Sequence, residues 1–81
     1  MKITYDPEGD VLYIQLRGVT PSDSVDIEEG VTAELDEAGH ITAIEILDAS
    51  ERLTAADLTS VYYENLLFAA AEVPQVKAAA Q

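Results

Sequence analysis

Hydrophobic and polar residues alternate along most of the first half of this 81-residue chain. Between Val11 and Arg17, the apolar residues Leu12, Ile14 and Leu16 recur at every second position and would share one side of an extended chain. A period of two is typical of β-strands. The third predicted strand, at residues 25–28, alternates apolar residues with acids, which suit an exposed edge strand. The pattern predicts strands at residues 3–6, 11–17, 25–28, 31–36 and 41–47.

The segment YDPEGDVLYIQL begins with carboxylates at every second position, Asp6, Glu8 and Asp10. An EF-hand calcium loop counted from Asp6 needs glycine at its sixth position and glutamate at its twelfth. The chain has Val11 and Arg17 there. A type I turn explains the segment better, because Asp bonds the backbone two residues on, Pro presets φ, and Gly accepts a left-handed conformation. The similar segment LDEAGHITAIEI predicts a second hairpin with the same turn.

The alternation ends after the fifth strand. TAAD resembles a capping box and predicts a helix that begins at Ala55. The segment SVYYENL favours a strand instead, whereas the alanine-rich continuation favours the helix. We prefer the helix for residues 59–70 and leave the strand open. The prediction is one α+β domain over residues 1–73, an antiparallel meander of about five strands with a C-terminal helix, followed by a frayed tail at 74–81.

The charge balance narrows the classes of partner. Sixteen acidic residues against four basic ones give a net charge of −12. A field of this sign repels nucleic acids and anionic membranes, so we expect neither as a partner, whereas it attracts basic proteins. No apolar run is long enough to span a membrane, and the N-terminus does not resemble a signal peptide. We therefore expect a cytoplasmic protein.

Candidate chemistry is sparse. The chain has no cysteine, and its single histidine, His40, follows a turn glycine. Neither a thiolate metal site nor a nucleophile–histidine pair is indicated, so we expect no enzymatic activity, no cofactor and no metal. Asp48 has two interpretations. It either caps the turn after the fifth strand, with Arg52 paired to a nearby acid, or forms an acidic contact site with Glu45 and Glu51; the capping role is preferred.

The second face of the predicted sheet carries Tyr13, and we expect Val11 and Ile41 to join it there. Tyrosine is favoured at interfaces. Because one C-terminal helix covers only one side of a sheet, we expect a homodimer that buries the Tyr13 side. The residues expected to contact a partner are Tyr13, Glu45, Asp48 and Glu51.

Three segments resemble the DUF2283 family of short prokaryotic proteins: MKITYDPEGDVLYIQL, EEGVTAELDEAGHITAIEILDASERL and DLTSVYYENL. The family's first block resembles Tyr-Asp-x-x-x-Asp-x-Leu-Tyr, matched here from Tyr5 to Tyr13. Its second resembles Gly-Ile-Glu-Ile-Leu-Asp-Ala-Ser, matched from Ile44 to Ser50, with Ala43 in place of the glycine. The resemblance implies no activity or cofactor. Some members are encoded beside RelE-like toxins, which implies an antitoxin-like role for those members.

The leading hypothesis is a non-enzymatic interaction module that binds a basic protein, such as a toxin-like ribonuclease, through acid-faced strands and exposed tyrosine or apolar residues. The alternative is a small-ligand or divalent-cation binding domain that uses Glu45, Asp48 and Glu51. No DNA-binding element is recognisable in the sequence.

Overall fold

The structure is a computed structural model that describes residues 1–64. These residues form an antiparallel sheet followed by two short helices, which confirms the α+β class. The predicted extent of the domain to residue 73 and the frayed tail at 74–81 lie outside the described residues. The elements are β1 (Lys2–Asp6), β2 (Val11–Gln15), β3 (Asp23–Glu28), β4 (Val31–Leu35), β5 (Ile41–Ile46), α1 (Ala49–Arg52) and α2 (Ala55–Thr59).

The strands lie in the order β1-β2-β5-β4-β3. This order departs from a consecutive meander at one place, because β2 pairs with β5 rather than with β3. The β2–β3 connection runs along one end of the sheet, where the N–H groups of Leu16 and Arg17 donate to the Thr42 carbonyl at 2.9 and 3.1 Å. Farther along, the Ser22 N–H donates to the Leu35 carbonyl at 2.9 Å. The loop thus passes β5 and β4 and places β3 at the far edge.

The register gives the sheet two unlike faces, because directly opposed residues on antiparallel strands project to the same side. One side, here called the apolar face, consists of two ladders: Ile3, Ile14, Ile44, Ala33 and Val25, and Tyr5, Leu12, Ile46 and Val31. The other side, here called the polar face, also consists of two ladders: Thr4, Tyr13, Glu45, Thr32 and Asp26, and Lys2, Gln15, Ala43, Glu34 and Ser24.

Few side chains are completely buried. The fully buried residues within the range 1–64 are Ala33, Thr42, Ala43 and Ala49, and the largest is the threonine. The long apolar side chains of the central strands are half-buried. On the edge strand β3, Val25 is 51% exposed and Ile27 is 57% exposed. Complete burial of a Val, Leu or Ile side chain contributes roughly 1.5–3 kcal/mol, so the described residues leave much of this stabilisation unused.

The first hairpin turn is built on Asp6, whose Oδ1 accepts a hydrogen bond from the Glu8 N–H at 3.0 Å, as the sequence predicts. The expectation for its left-handed residue is wrong. That residue is Asp10, with φ 55°, rather than Gly9. Aspartate tolerates the left-handed region better than most residues, and the position allows Asp10 to form contacts described below.

The second hairpin turn follows the predicted pattern. Asp36 Oδ1 accepts hydrogen bonds from the N–H groups of Ala38 and His40, both at 2.9 Å, and Gly39 is left-handed with φ 86°. Arg17 donates to the other carboxylate oxygen of Asp36 at 2.9 Å. The hydrogen bond from His40 and the contact with Arg17 lower the pKa of Asp36. This aspartate therefore ties the β4–β5 turn to the end of β2.

The helix prediction is correct at its start and wrong for residues 60–64, whereas its remainder, residues 65–70, lies outside the described residues. The capping box forms: the Asp57 N–H donates to Thr54 Oγ1 at 3.1 Å, and the Thr54 N–H donates to Asp57 Oδ2 at 3.2 Å. The helix ends at Thr59, and residues 60–64 are neither helix nor strand. Val61 and the two tyrosines after it lose side-chain freedom in a helix. At four and five residues, neither described helix is long and apolar enough to cross a membrane.

Arg52 joins α1 to the β3–β4 turn. Its Nε donates to the Leu47 carbonyl at 3.0 Å, its Nη2 donates to the Glu29 carbonyl, and its Nη1 lies 3.6 Å from Glu28 Oε2. The predicted pairing with an acid is thus confirmed. Gly30 leaves room for the guanidinium, because a Cβ there would lie 2.5 Å from Nη2.

We expect Gly30→Ala to destabilise the protein more than Gly39→Ala. Both glycines are left-handed, with φ of 82° and 86°, so alanine costs about 1 kcal/mol of strain at each. At Gly30 the new methyl also displaces Arg52 from the Glu29 carbonyl, which adds about 1 kcal/mol. At Gly39 no atom lies within 4 Å of the new Cβ. Urea unfolding measures both free energies, and equal losses would contradict a role for the Arg52 contact.

Candidate functional site

The polar face brings together two of the four residues predicted to contact a partner. Tyr13 on β2 and Glu45 on β5 are directly opposed, and Thr32 on β4 follows in the same ladder. Glu34 approaches from the neighbouring ladder, where its Oε1 accepts a hydrogen bond from the Tyr13 hydroxyl. Tyr13 therefore lies beside two carboxylates near the middle of the sheet.

The carboxylates determine the ionisation of Tyr13. Its hydrogen bond to Glu34 raises the pKa of the phenol, and desolvation and the negative charges of Glu34 and Glu45 raise it further. Tyr13 therefore stays protonated at neutral pH. It acts as a hydrogen-bond donor rather than as a general base.

Negative charge is concentrated on one half of the polar face. Asp26 on β3 extends the acidic ladder, and its Oδ1 accepts a hydrogen bond from the Thr32 hydroxyl at 3.4 Å. Lys2 lies on the same face at the opposite edge, on β1. We call Asp26, Glu34 and Glu45, with Tyr13 beside them, the acidic patch.

The acidic patch changes the expected character of this face. The sequence predicts an apolar surface made by Val11, Tyr13 and Ile41. The register instead surrounds Tyr13 with acids and threonines, because the alternate positions of β4 and β5 are polar. Val11 shares this side with Tyr13, as expected, but the neighbours of Tyr13 on β4 and β5 are polar, so this side is less apolar than the sequence predicts.

Asp48 and Glu51 lie beyond the end of β5. Asp48 occupies the N-cap position of α1 with φ 53°, but its side chain makes no capping hydrogen bond. Glu51 lies in the first turn, and its N–H donates to the Asp48 carbonyl at 3.0 Å. Both side chains are exposed. Among residues 1–64, no hydrogen bond connects either of them to Tyr13 or Glu45.

The acids of the cation hypothesis do not form a metal centre. Glu45 belongs to the sheet, whereas Asp48 and Glu51 follow it on α1. In the part of the chain that the structure describes, no three His, Cys, Asp or Glu side chains are grouped so that they could hold a metal ion.

A second cluster, which the sequence analysis missed, joins the first hairpin to α1. Asp10 Oδ1 accepts hydrogen bonds from the Tyr5 hydroxyl at 2.7 Å and the Ser50 N–H at 2.9 Å. Asp10 Oδ2 accepts one from Ser50 Oγ at 2.6 Å, and the Asp10 carbonyl accepts one from the Ala49 N–H at 3.0 Å. The two blocks that resemble the family pattern could have pointed to this cluster, because Tyr5 and Asp10 belong to the first block and Ser50 belongs to the second.

The chemistry of this cluster is structural rather than catalytic. The hydrogen bond from Ser50, and to a smaller extent the one from Tyr5, lowers the pKa of Asp10. Its carboxylate is therefore ionised and already accepts several hydrogen bonds, which makes it a weak base. Ser50 also lacks a histidine partner. The single histidine, His40, precedes β5 and Ser50 follows it, which separates them by about 20 Å along the strand.

A groove of about 420 Å³ lies between α2 and the first hairpin. Its volume is in the range of small-molecule pockets. Tyr5 is the member of the Asp10 cluster that contributes to its wall. The other lining residues are Ile3, Leu12 and Ile14 on the sheet and Asp57, Leu58, Ser60, Val61 and Tyr62 opposite them.

These features define a small antiparallel-sheet protein with one apolar face and one acidic polar face. A family model described as protein of unknown function (DUF2283) matches residues 2–50, and the chain belongs to this family. The matched range contains all five strands and ends at Ser50, the residue that hydrogen-bonds Asp10. Comparison with curated proteins and with solved structures gave no significant match.

We expect Ser50→Ala to destabilise the protein more at neutral pH than in acid. Ser50 is the main cause that holds the pKa of Asp10 below its ordinary value of 3.8. A lowered folded-state pKa stabilises the fold above the unfolded-state pKa, and this stabilisation is lost as the pH falls through the folded-state pKa. The difference in unfolding free energy between wild type and variant should therefore narrow below about pH 3.8, as measured by urea unfolding at pH 7 and in acid.

Ser22→Ala is the matched control, because Ser22 contributes only a backbone hydrogen bond, to Leu35. We expect it to leave stability unchanged at both pH values. Other carboxylates titrate in the wild type and in the variant alike, so their contribution cancels. A Ser50→Ala loss of the same size at both pH values would contradict the role assigned to Asp10.

Proposed function

We propose that this protein is a non-enzymatic interaction module that binds a basic protein at the acidic patch. The observation that carries the proposal is the alignment of Asp26, Glu34 and Glu45 beside Tyr13 on one half of a sheet face. Carboxylates that project from neighbouring strands on one face can pair with Lys or Arg side chains of a partner. The ring of Tyr13 adds apolar contact area with a polar tip, a combination favoured at interfaces.

The charge balance supports a basic partner. The net charge is −12, and fifteen of the sixteen acidic residues lie within residues 1–64. Two of the three basic residues in that range are already engaged, Arg17 by Asp36 and Arg52 by Glu28. The resulting field increases the rate of encounter with a cationic protein and opposes binding to nucleic acid.

A toxin-like ribonuclease in the cytoplasm is the kind of basic partner to test first. Proteins that bind RNA present Lys and Arg to the phosphate backbone, and a row of carboxylates can occupy the same cationic surface. The resemblance to a family with members encoded beside RelE-like toxins points to the same class.

We expect the double variant Glu34→Gln/Glu45→Gln to lose the partner. With the full chain as bait, affinity chromatography of native-host lysate followed by mass spectrometry should retain a basic protein at low salt and release it at high salt. The variant removes two charges from the acidic patch. Each exposed ion pair contributes up to about 1 kcal/mol, so the loss of two should weaken binding by up to about thirtyfold.

The variant Glu8→Gln/Glu37→Gln is the matched control, because it removes the same charge from the two hairpin turns. Retention of the partner by the control and its loss by the acidic-patch variant would support the proposal. Equal loss of the partner in both variants would mean that net charge alone, rather than the acidic patch, determines binding. Recovery of folded bait alone would overturn the proposal.

A second candidate function is small-ligand binding, which the groove between α2 and the first hairpin favours. Its sheet wall is apolar, and the hydroxyl of Tyr5 and the side chains of Asp57 and Ser60 provide polar groups among its lining residues. A ligand that binds only the native state raises the melting temperature, so thermal unfolding across a small-molecule library tests this function.

We expect millimolar calcium or magnesium to leave the melting temperature unchanged, because Glu45, Asp48 and Glu51 do not converge. Thermal unfolding with each cation and with a chelator checks this. A rise that disappears in Asp48→Asn would contradict the expectation and favour the cation-binding alternative.

A further inference from the structure

We infer that the apolar face is the interface of a homodimer in which two copies of this chain pack face to face. The first observation is the thin core. Two ladders of mainly Ile, Leu and Val cross the sheet, yet the largest fully buried side chain in residues 1–64 is Thr42. Complete burial of these ladders needs a second layer.

The shape of the apolar face fits a second copy. Over β1 and β2, the chain after α2 forms a ledge, defined here as Val61, Tyr62 and Tyr63, which are 68%, 82% and 78% exposed. Over β3 the face forms a shelf, defined here by Val25, which pairs with Ala33 and is 51% exposed. In a two-fold dimer the ledge of each copy can lie on the shelf of the other, because the same two surfaces meet reciprocally.

The available area fits a weak, reversible dimer. Five strands about 4.8 Å apart, each with five residues at about 3.3 Å, give roughly 400 Å² of sheet plane. Because α2 and the ledge lie over part of β1 and β2, each copy offers at most about 500 Å², or about 1,000 Å² in total, which is the size of weak, reversible interfaces.

Charge selects a second copy rather than a basic protein as the occupant. On the apolar face, the strand positions that carry acids are Asp23 and Glu28 at the two ends of β3, and Glu28 is engaged by Arg52. A cationic partner would find few carboxylates there. Two copies packed through this face keep their acidic patches on the outer sides, where water and salt screen the repulsion between two net charges of −12.

The decisive measurement is sedimentation equilibrium of the full-length chain over a range of concentrations. We expect a monomer–dimer equilibrium in the wild type. Val25→Glu on the shelf and Tyr62→Ala on the ledge should each raise the dimer dissociation constant by about thirtyfold, because each removes an apolar ledge-on-shelf contact that occurs twice per dimer. Ser24→Glu is the matched control, since it adds the same charge one residue away on the polar face, and it should leave the constant unchanged.

Each other outcome overturns the inference. A wild type that is monomeric at every concentration would mean that something else covers the apolar face, such as residues 65–81 of the same copy. A dimer that persists in both Val25→Glu and Tyr62→Ala, or that Ser24→Glu weakens equally, would place the interface elsewhere. Circular dichroism verifies folding, and the highly exposed Tyr62 keeps the test valid if Val25→Glu does not fold.

The dimer does not depend on the proposed basic partner, because the two use opposite faces of the sheet. Glu34→Gln/Glu45→Gln should remain dimeric while it loses the partner. Val25→Glu should retain the partner in one-to-one stoichiometry while it becomes monomeric.

Discussion

The positions of α1 and α2 depend on the Asp10 carboxylate. Its hydrogen bonds from Tyr5 and Ser50 connect the first hairpin to α1, and Arg52 connects α1 to the β3–β4 turn on the other side. A helix of four residues is not stable by itself, so these contacts account for α1. Because α1 leads directly into α2, they also set where α2 covers the apolar face and where it leaves that face open.

Local patterns predict the elements of this fold but not their arrangement. The period of two identifies all five strands, and the TAAD segment predicts the reciprocal hydrogen bonds between Thr54 and Asp57. The pairing of β2 with β5 depends instead on the loop after β2, whose hydrogen bonds to Thr42 and Leu35 join residues distant in sequence. Among the described residues α2 ends at Thr59, just before the β-branched and aromatic run that begins at Val61, and the alanine-rich stretch that favoured a longer helix lies outside them.

The candidate site was predictable only in part. Tyr13 and Glu45 could be chosen by residue type, but their direct opposition and the approach of Glu34 follow from the register, which a one-residue slip would reverse. The left-handed conformation of Asp10 was missed because the adjacent glycine is the better local candidate. The bonds that stabilise it come from Ser50, 40 residues farther along the chain, and no short window of sequence contains both partners.

The two faces of the sheet meet two opposing physical requirements in one small domain, solubility and the burial of apolar side chains. A net charge of −12 keeps the chain in solution but opposes compaction through self-repulsion, whereas the apolar ladders need to leave water. The register separates these demands, because it sends Glu34 and Glu45 to one side and Ile44 and Ile46 to the other. Association through the apolar face would then leave both acidic patches free and directed outward. A dimer of this kind is bivalent, so a basic partner with two cationic surfaces would bind it with a higher effective concentration than it would bind a monomer.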